Sequence, residues 1–113
     1  VTCHVSQSEV GQGIHTGMAQ ILADELDVPW ERIAVRHAPL ADAFRITLYD
    51  YTAQFVGGSL SVALLFERLR QAGAEARARL IEAAAASWNV SAAEVRAEQG
   101  VLRGPRGLSA AYG

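Results

Sequence analysis

Asp27-Val28-Pro29-Trp30-Glu31-Arg32-Ile33-Ala34-Val35 and Asn89-Val90-Ser91-Ala92-Ala93-Glu94-Val95-Arg96-Ala97 are two stretches with one plan. Each follows a segment with helical periodicity, and Val28 with Ile33 keeps the same offset as Val90 with Val95. Pro29 disfavours helical geometry at the residue before it and so ends the first helix. In the second stretch Ser91 and Glu94 have the spacing of a capping box for one short helical turn. A helix, turn, strand unit therefore occurs twice. Two such units predict an α+β fold, with two helices packed on one face of a small mixed sheet. The order of the strands is left open.

Ahead of the first unit, Ile14, Met18, Ile21, Leu22 and Leu26 recur at spacings of three and four, which predicts a helix from Ile14 to Leu26 with one buried face. Thr2 to Ser8 alternates Cys3 and Val5 with more polar neighbours, as a half-buried strand does, and runs into a glycine-bounded turn. Arg32 to His37, with Ile33 and Val35 on alternate positions, is a second strand. Residues 39 to 57 show no clear period, and a connection of that length without structure is usually disordered or functional; a functional one is expected here.

A long helix should begin near Gly58-Ser59 and run to about Trp88, with Leu60, Ala63, Leu64, Leu69, Ala72, Ala76, Leu80, Ala83 and Ala84 along one face. Its alanine content favours helix intrinsically, whereas Gly73 costs about 1 kcal/mol there relative to alanine, an expense explained by a close helix crossing. Val95 to Gln99 and Val101 to Arg103 then form strands about a tight turn at Gln99-Gly100.

Composition narrows the function classes. A chain of 113 residues that is 50% hydrophobic can bury one modest core. Ten Lys plus Arg against twelve Asp plus Glu give a net charge of −2, without a basic stripe, so nucleic acid and anionic membrane are poor partners. Arg68, Arg70, Glu75, Arg77 and Arg79 interrupt the longest Ala/Leu-rich stretch, and no membrane span is expected. The single cysteine, Cys3, cannot ligate an iron–sulfur cluster, which must sit elsewhere if one is needed. The first residue already reads as strand and no leader-like segment precedes it, so residues 1–113 are expected to be one segment of a longer chain, cut at both ends.

Two glycine-rich helix starts carry the candidate chemistry. In Glu9-Val10-Gly11-Gln12-Gly13-Ile14-His15-Thr16-Gly17, glycines let backbone N–H groups approach a ligand, and a helix N-terminus offers unpaired donors with a favourable dipole. Gln12 adds an amide that donates and accepts at once, suited to the edge of a polar ring or a phosphate. The same loop equally fits a turn that only needs positive φ. Neither the Gly-x-Gly-x-x-Gly nor the Walker spacing is present, so dinucleotide and nucleoside triphosphate readings fall away. In Gly57-Gly58-Ser59-Leu60-Ser61-Val62, Ser59 or Ser61 equally fits an N-cap; the pairing of two anion-competent helix starts in one small unit favours binding.

These strings, together with Ala23-Asp24-Glu25-Leu26, the Asp27-Val28-Pro29-Trp30 turn, Arg70-Gln71-Ala72-Gly73-Ala74 and the Gln99-Gly100-Val101 hairpin, resemble the molybdopterin-binding large subunit of the xanthine dehydrogenase and aldehyde oxidase family. Within it they are most like the large subunit of the isoquinoline 1-oxidoreductases. The resemblance covers almost the whole chain but only part of a much longer subunit. It implies that Gly11, Gln12 and Gly13, with Gly58, Ser59, Leu60, Ser61 and Val62, hold the pterin and phosphate portion of a molybdenum–molybdopterin cofactor, in its cytosine dinucleotide form or another. It also implies oxidation of an aldehyde or N-heterocycle carbon with water-derived oxygen. The partners it implies are the remainder of the large subunit and a small subunit carrying 2Fe-2S clusters. The family's catalytic glutamate motif and its glycine-rich loop beside the metal are absent, so no catalytic residue is assigned.

Two positions depart from the family pattern: Val10 stands where Met is frequent, and Ala53-Gln54-Phe55-Val56 replaces small or polar residues, with Phe55 narrowing the cofactor's approach. His4, His15 and His37 fit no metal-ligand spacing and are assigned none. Glu9 reads as an acceptor for backbone donors rather than a general base, and Asn89-Val90-Ser91 as a capping turn rather than a glycosylation acceptor. A non-catalytic binding or assembly module with the same fold is the alternative. Neither the compartment nor the oligomeric state is legible.

Overall fold

The computed structural model describes all of residues 1–113. Its elements are β1 (Thr2–Val5), α1 (Ile14–Leu26), β2 (Ala34–His37), β3 (Ile46–Leu48), β4 (Tyr51–Ala53), α2 (Ser61–Trp88), β5 (Arg96–Glu98), β6 (Val101–Arg103) and β7 (Ser109–Ala111), with short 3-10 turns between several of them. The class is α+β, but the strands form three small sheets rather than one. β1 and β2 pair in parallel, β3 and β4 antiparallel, and β5, β6 and β7 make an antiparallel meander.

The repeated unit persists at the level of dihedral angles. Asp27 ends α1 at φ 54°, ψ 56°, and Asn89 ends α2 at φ 53°, ψ 48°, both left-handed. Val28 then donates to Ala23 O, as Val90 does to Ala85 O. Pro29 and Ser91 are extended before 3-10 turns at Trp30–Arg32 and Ala92–Glu94, and Ile33 and Val95 turn the chain into β2 and β5. In the second copy Ser91 Oγ accepts from Ala93 N–H while the Glu94 carboxylate accepts from Ser91 N–H, the expected reciprocal cap.

The two copies diverge in what their strands meet. β2 runs beside β1, and the ladder ends with Ala38 N–H donating to Val5 O, because Pro39 has no N–H to continue it. The expected strand from Thr2 to Ser8 therefore stops at Val5. β5 instead folds onto β6 through Gln99 (φ 50°) and Gly100 (φ 73°), a turn with positive φ at both central residues, whose twist suits a two-residue hairpin. That turn docks on the end of α1: Asp27 O accepts from Gly100 N–H at 2.6 Å, Asp27 Oδ1 from Gln99, and Arg32 reaches Gly100 O at 3.2 Å.

The long connection was expected to lack structure; instead it contains a 3-10 turn at Asp42–Phe44 and the β3–β4 hairpin. Its turn uses Tyr49 at φ 53° followed by Asp50, with none of the glycine or asparagine that marks such turns, and each strand has three residues, too few to show a period. Arg68 of α2 ties its base by donating to Arg45 O and Ala43 O at 2.9 and 3.1 Å.

α2 begins at Ser61, just after the expected Gly58-Ser59 start, and its buried seam is Ser61, Leu65, Gly73, Ala84 and Ala85; Ala63, Ala72 and Ala83 face solvent. An alanine-rich helix offers similar side chains on every face, so its contacts are set by what packs on it. The core is divided. One cluster gathers Ala23, Leu26, Val28, Ala84, Ala85, Val95, Ala97, Leu102 and Tyr112; the other gathers Cys3, Val5, Ile14, Met18, Ala19, Ile46 and Leu65. The radius of gyration, 16.3 Å, exceeds the roughly 13 Å of a compact domain of this length. The two glycine-rich loops flank the second cluster, where the chain leaves β1 for α1 and where α2 begins.

Candidate functional site

The first loop is shaped by its own side chains. Gly11 and Gly13 take φ 97° and 80°, values that exact a cost from any residue with a Cβ. Glu9 lies under the loop: its Oε1 accepts from Gly11 N–H and Gly13 N–H, both at 2.9 Å, and its Oε2 accepts from His15 N–H at 3.0 Å. These backbone donors, led by His15, hold the Glu9 carboxyl below its ordinary pKa of about 4.5. Of the donors expected to be open to a ligand here, the N–H groups of Gly11, Gly13 and His15 are thus engaged by a carboxylate of the chain.

Gln12 is exposed and its amide is turned into the loop. Its Oε1 accepts from Val10 N–H at 2.6 Å and its Nε2 donates to Ser8 O at 2.8 Å. To reach a ligand it must exchange these two bonds for others.

The second loop differs. Gly58 and Ser59 are both left-handed, at φ 63° and 56°, and Leu60 precedes α2 with no side-chain cap. Neither serine is an N-cap. The first N–H groups of α2, from Ser61, Val62 and Ala63, carry no side-chain cap, and the first turn has no acidic residue. Leu60 is half-buried, while Gly58, Ser59 and Val62 are exposed.

One contact joins the loops, and it involves a residue that sequence reasoning missed. Gln7, fully buried, accepts at Oε1 from the Ser61 hydroxyl at 2.9 Å and donates from Nε2 to Ser6 Oγ at 3.3 Å. Gln7 lies between β1 and the first loop, and Ser61 opens α2, so the bond fixes one glycine-rich start against the other. In Ser6-Gln7-Ser8 nothing distinguishes a buried amide from an exposed one; the only signal is a polar string directly continuing an apolar strand.

The remaining candidates have structural uses. His15 Nε2 meets Gln7 O at 2.9 Å, His37 Nδ1 meets Ala38 O at 2.9 Å, and their rings pack edge to face at 5.8 Å. His4 stands apart from them and exposed. Phe55 packs against the second core cluster and tilts on the Tyr51 ring at 5.9 Å. The Cys3 thiol is buried, and burial pushes its pKa up, away from a reactive thiolate. An apolar cavity of about 240 Å³ lined by residues that include Cys3, Val5, Met18, Phe44, Leu65 and Leu69 lies behind β1, and neither glycine-rich loop lines it. No helix is long and apolar enough to cross a membrane.

The geometry can be set beside known proteins. Residues 1–111 match the family model described as the molybdopterin cofactor-binding domain. The chain is 37% identical over 106 residues to isoquinoline 1-oxidoreductase subunit beta of Brevundimonas diminuta, covering 93% of this chain and 14% of that protein. It is 29% identical over 82 residues to the membrane-bound aldehyde dehydrogenase [pyrroloquinoline-quinone] of Gluconacetobacter polyoxogenes, covering 73% of this chain and 10% of that one. Its fold is similar to part of quinoline 2-oxidoreductase from Pseudomonas putida 86, with a TM-score of 0.62 and 21% identity over 93% of this chain and 12% of that chain. The chain thus spans about a seventh of the length of the first of these relatives.

Proposed function

The chain belongs to the molybdopterin cofactor-binding domain family, and from that premise we propose that it is the segment of a molybdenum hydroxylase large subunit that grips the pterin cofactor. The observation that carries this reading is the start of α2: uncapped N–H groups and no acidic side chain in the first turn, behind a left-handed Gly58-Ser59 pair. That donor set fits the anionic portion of the cofactor. Gly58, Ser59, Leu60, Ser61 and Val62 would hold it through backbone N–H groups, with Ser59 contributing an exposed hydroxyl and the Ser61 hydroxyl already spent on Gln7. Gly11, Gln12 and Gly13 fit less directly, because Glu9 holds the glycine N–H groups; what the loop can offer is the Gln12 amide.

When bound, the molybdenum–pterin group supplies the chemistry, oxidation of an aldehyde or N-heterocycle carbon with water-derived oxygen. This segment's part is to bind and orient it. The likeness to isoquinoline 1-oxidoreductase subunit beta supports a nitrogen heterocycle as substrate class. It also supports assembly with the remainder of the large subunit and with a small subunit bearing 2Fe-2S clusters, since one buried cysteine cannot ligate them here.

The test is molybdenum and pterin content of the full-length parent under limiting cofactor. Ser59→Asp places a negative charge at the open end of α2 and lowers occupancy, whereas Ser59→Asn, which also tolerates the left-handed backbone, does not. Gln12→Ala weakens the hold by about 5- to 150-fold if its amide is a buried partner of the cofactor. Full occupancy in both Ser59→Asp and Gln12→Ala, at unchanged melting temperature, would overturn the reading.

A further inference from the structure

The two glycine-rich helix starts differ in one electrostatic respect: α1 already carries an anion and α2 does not. Both Glu9 oxygens are used, one bridging Gly11 N–H and Gly13 N–H and the other taking His15 N–H, so the carboxylate stands where a phosphate oxygen would otherwise stand. α1 has no acidic residue in its first turn and no side-chain cap at Gly13, which leaves Glu9 as the negative group facing its positive end. An incoming anion there would lose those donors to Glu9 and meet a like charge.

We propose that Glu9 is a positioning residue: its carboxylate substitutes for a bound anion beneath the first loop, withholds the Gly11, Gly13 and His15 N–H groups from the cofactor, and sets the conformation of Gly11-Gln12-Gly13 from which the Gln12 amide exchanges its loop bonds for the cofactor. This rests on the proposed function for its cofactor half, while the lock on the loop is read independently. Gln12 follows from the lock because its side-chain partners, Val10 N–H and Ser8 O, flank Glu9 in the chain. The anionic part of the cofactor is thereby directed to α2.

The experiment compares wild-type, Glu9→Gln and Glu9→Ala in the full-length parent. Amide hydrogen exchange over residues 9–17 reads the lock, and molybdenum and pterin content under limiting cofactor reads the hold. Glu9→Ala should speed exchange in the loop and lower occupancy by about fivefold or more, the low end for one lost hydrogen bond in a dry site. Glu9→Gln keeps an acceptor oxygen for Gly11 and Gly13 but turns its NH2 against His15 N–H, so both readings should fall between the other two. Two results overturn the proposal: unchanged loop exchange in Glu9→Ala, or faster exchange with unchanged or higher occupancy, the signature of a group that merely competes with the cofactor. If Glu9→Ala lowers the melting temperature of the whole parent, Glu9→Gln decides alone by the same criteria. Faster exchange in Glu9→Ala alongside full occupancy in Ser59→Asp and Gln12→Ala would remove the cofactor reading and leave the lock standing.

Discussion

Gly73 of α2 lies so close to α1 that a Cβ built on it would stand 2.9 Å from Glu25 Cβ and 3.0 Å from Leu22 O. Beside it, Arg70 pairs with the Glu25 carboxylate across the same crossing. The helices approach at this glycine.

The crossing makes the two helical glycines opposite in effect. Gly73→Ala gains about 1 kcal/mol of helix propensity but overpacks the crossing by roughly 1–3 kcal/mol, and should lower stability. Gly17, within α1, has nothing within 4 Å of its would-be Cβ, so Gly17→Ala should gain up to about 1 kcal/mol. Urea denaturation of the two variants checks the sign; a stabilised Gly73→Ala would mean that the helices are farther apart.

Gln7 and Ser61 should be coupled. Gln7→Leu leaves the buried Ser61 hydroxyl without its acceptor, at a cost of about 1–3 kcal/mol, and Ser61→Ala leaves the Gln7 carbonyl unpaired at a similar cost. Added together, the single losses should exceed the loss in the double variant by about 0.5–3 kcal/mol in a double-mutant cycle. Simple additivity would show that the bond does not tie the two glycine-rich starts together.

Tyr112 predicts an alkaline effect. Its hydroxyl donates to Leu26 O at 3.1 Å, and burial raises its pKa above the ordinary value of 10.0, with Arg77 opposing and Asp27 adding. A raised folded-state pKa means that the protonated form is favoured in the folded state. Its contribution is full below about pH 10 and is lost as pH rises through the raised value. Tyr112→Phe should cost about 0.5–1.5 kcal/mol at neutral pH and show a smaller loss above pH 10, so the two stability curves converge. Parallel curves measured by denaturant titration at both pH values would contradict this.

α1, the turn after it, the capping box at Ser91 and Glu94, the Gln99-Gly100 hairpin and the close crossing at Gly73 were all readable in the sequence, because each depends on neighbours within a few positions or on a glycine with no local excuse. The doubled helix, turn, strand unit was readable for the same reason: Asp27 and Asn89, Pro29 and Ser91, Ile33 and Val95 set the backbone locally. Both glycine-rich helix starts, and Glu9 as an acceptor for backbone donors, were also within reach of the residues alone.

Other features required long-range contacts. The β5–β6 hairpin follows from its turn, but that β2 meets β1 in a separate sheet does not, because the partner of a four-residue strand is not encoded within it. The face of α2 that is buried depends on where α1 and the meander lie, since alanines at 63, 72, 83, 84 and 85 are alike until something packs on them. Gln7 became a buried link only because α2 brings Ser61 to it across 54 positions of chain. Local chemistry set the turns, the shape of each loop and which loop's donors Glu9 takes, whereas against what each loop is held followed from packing that brings distant residues together.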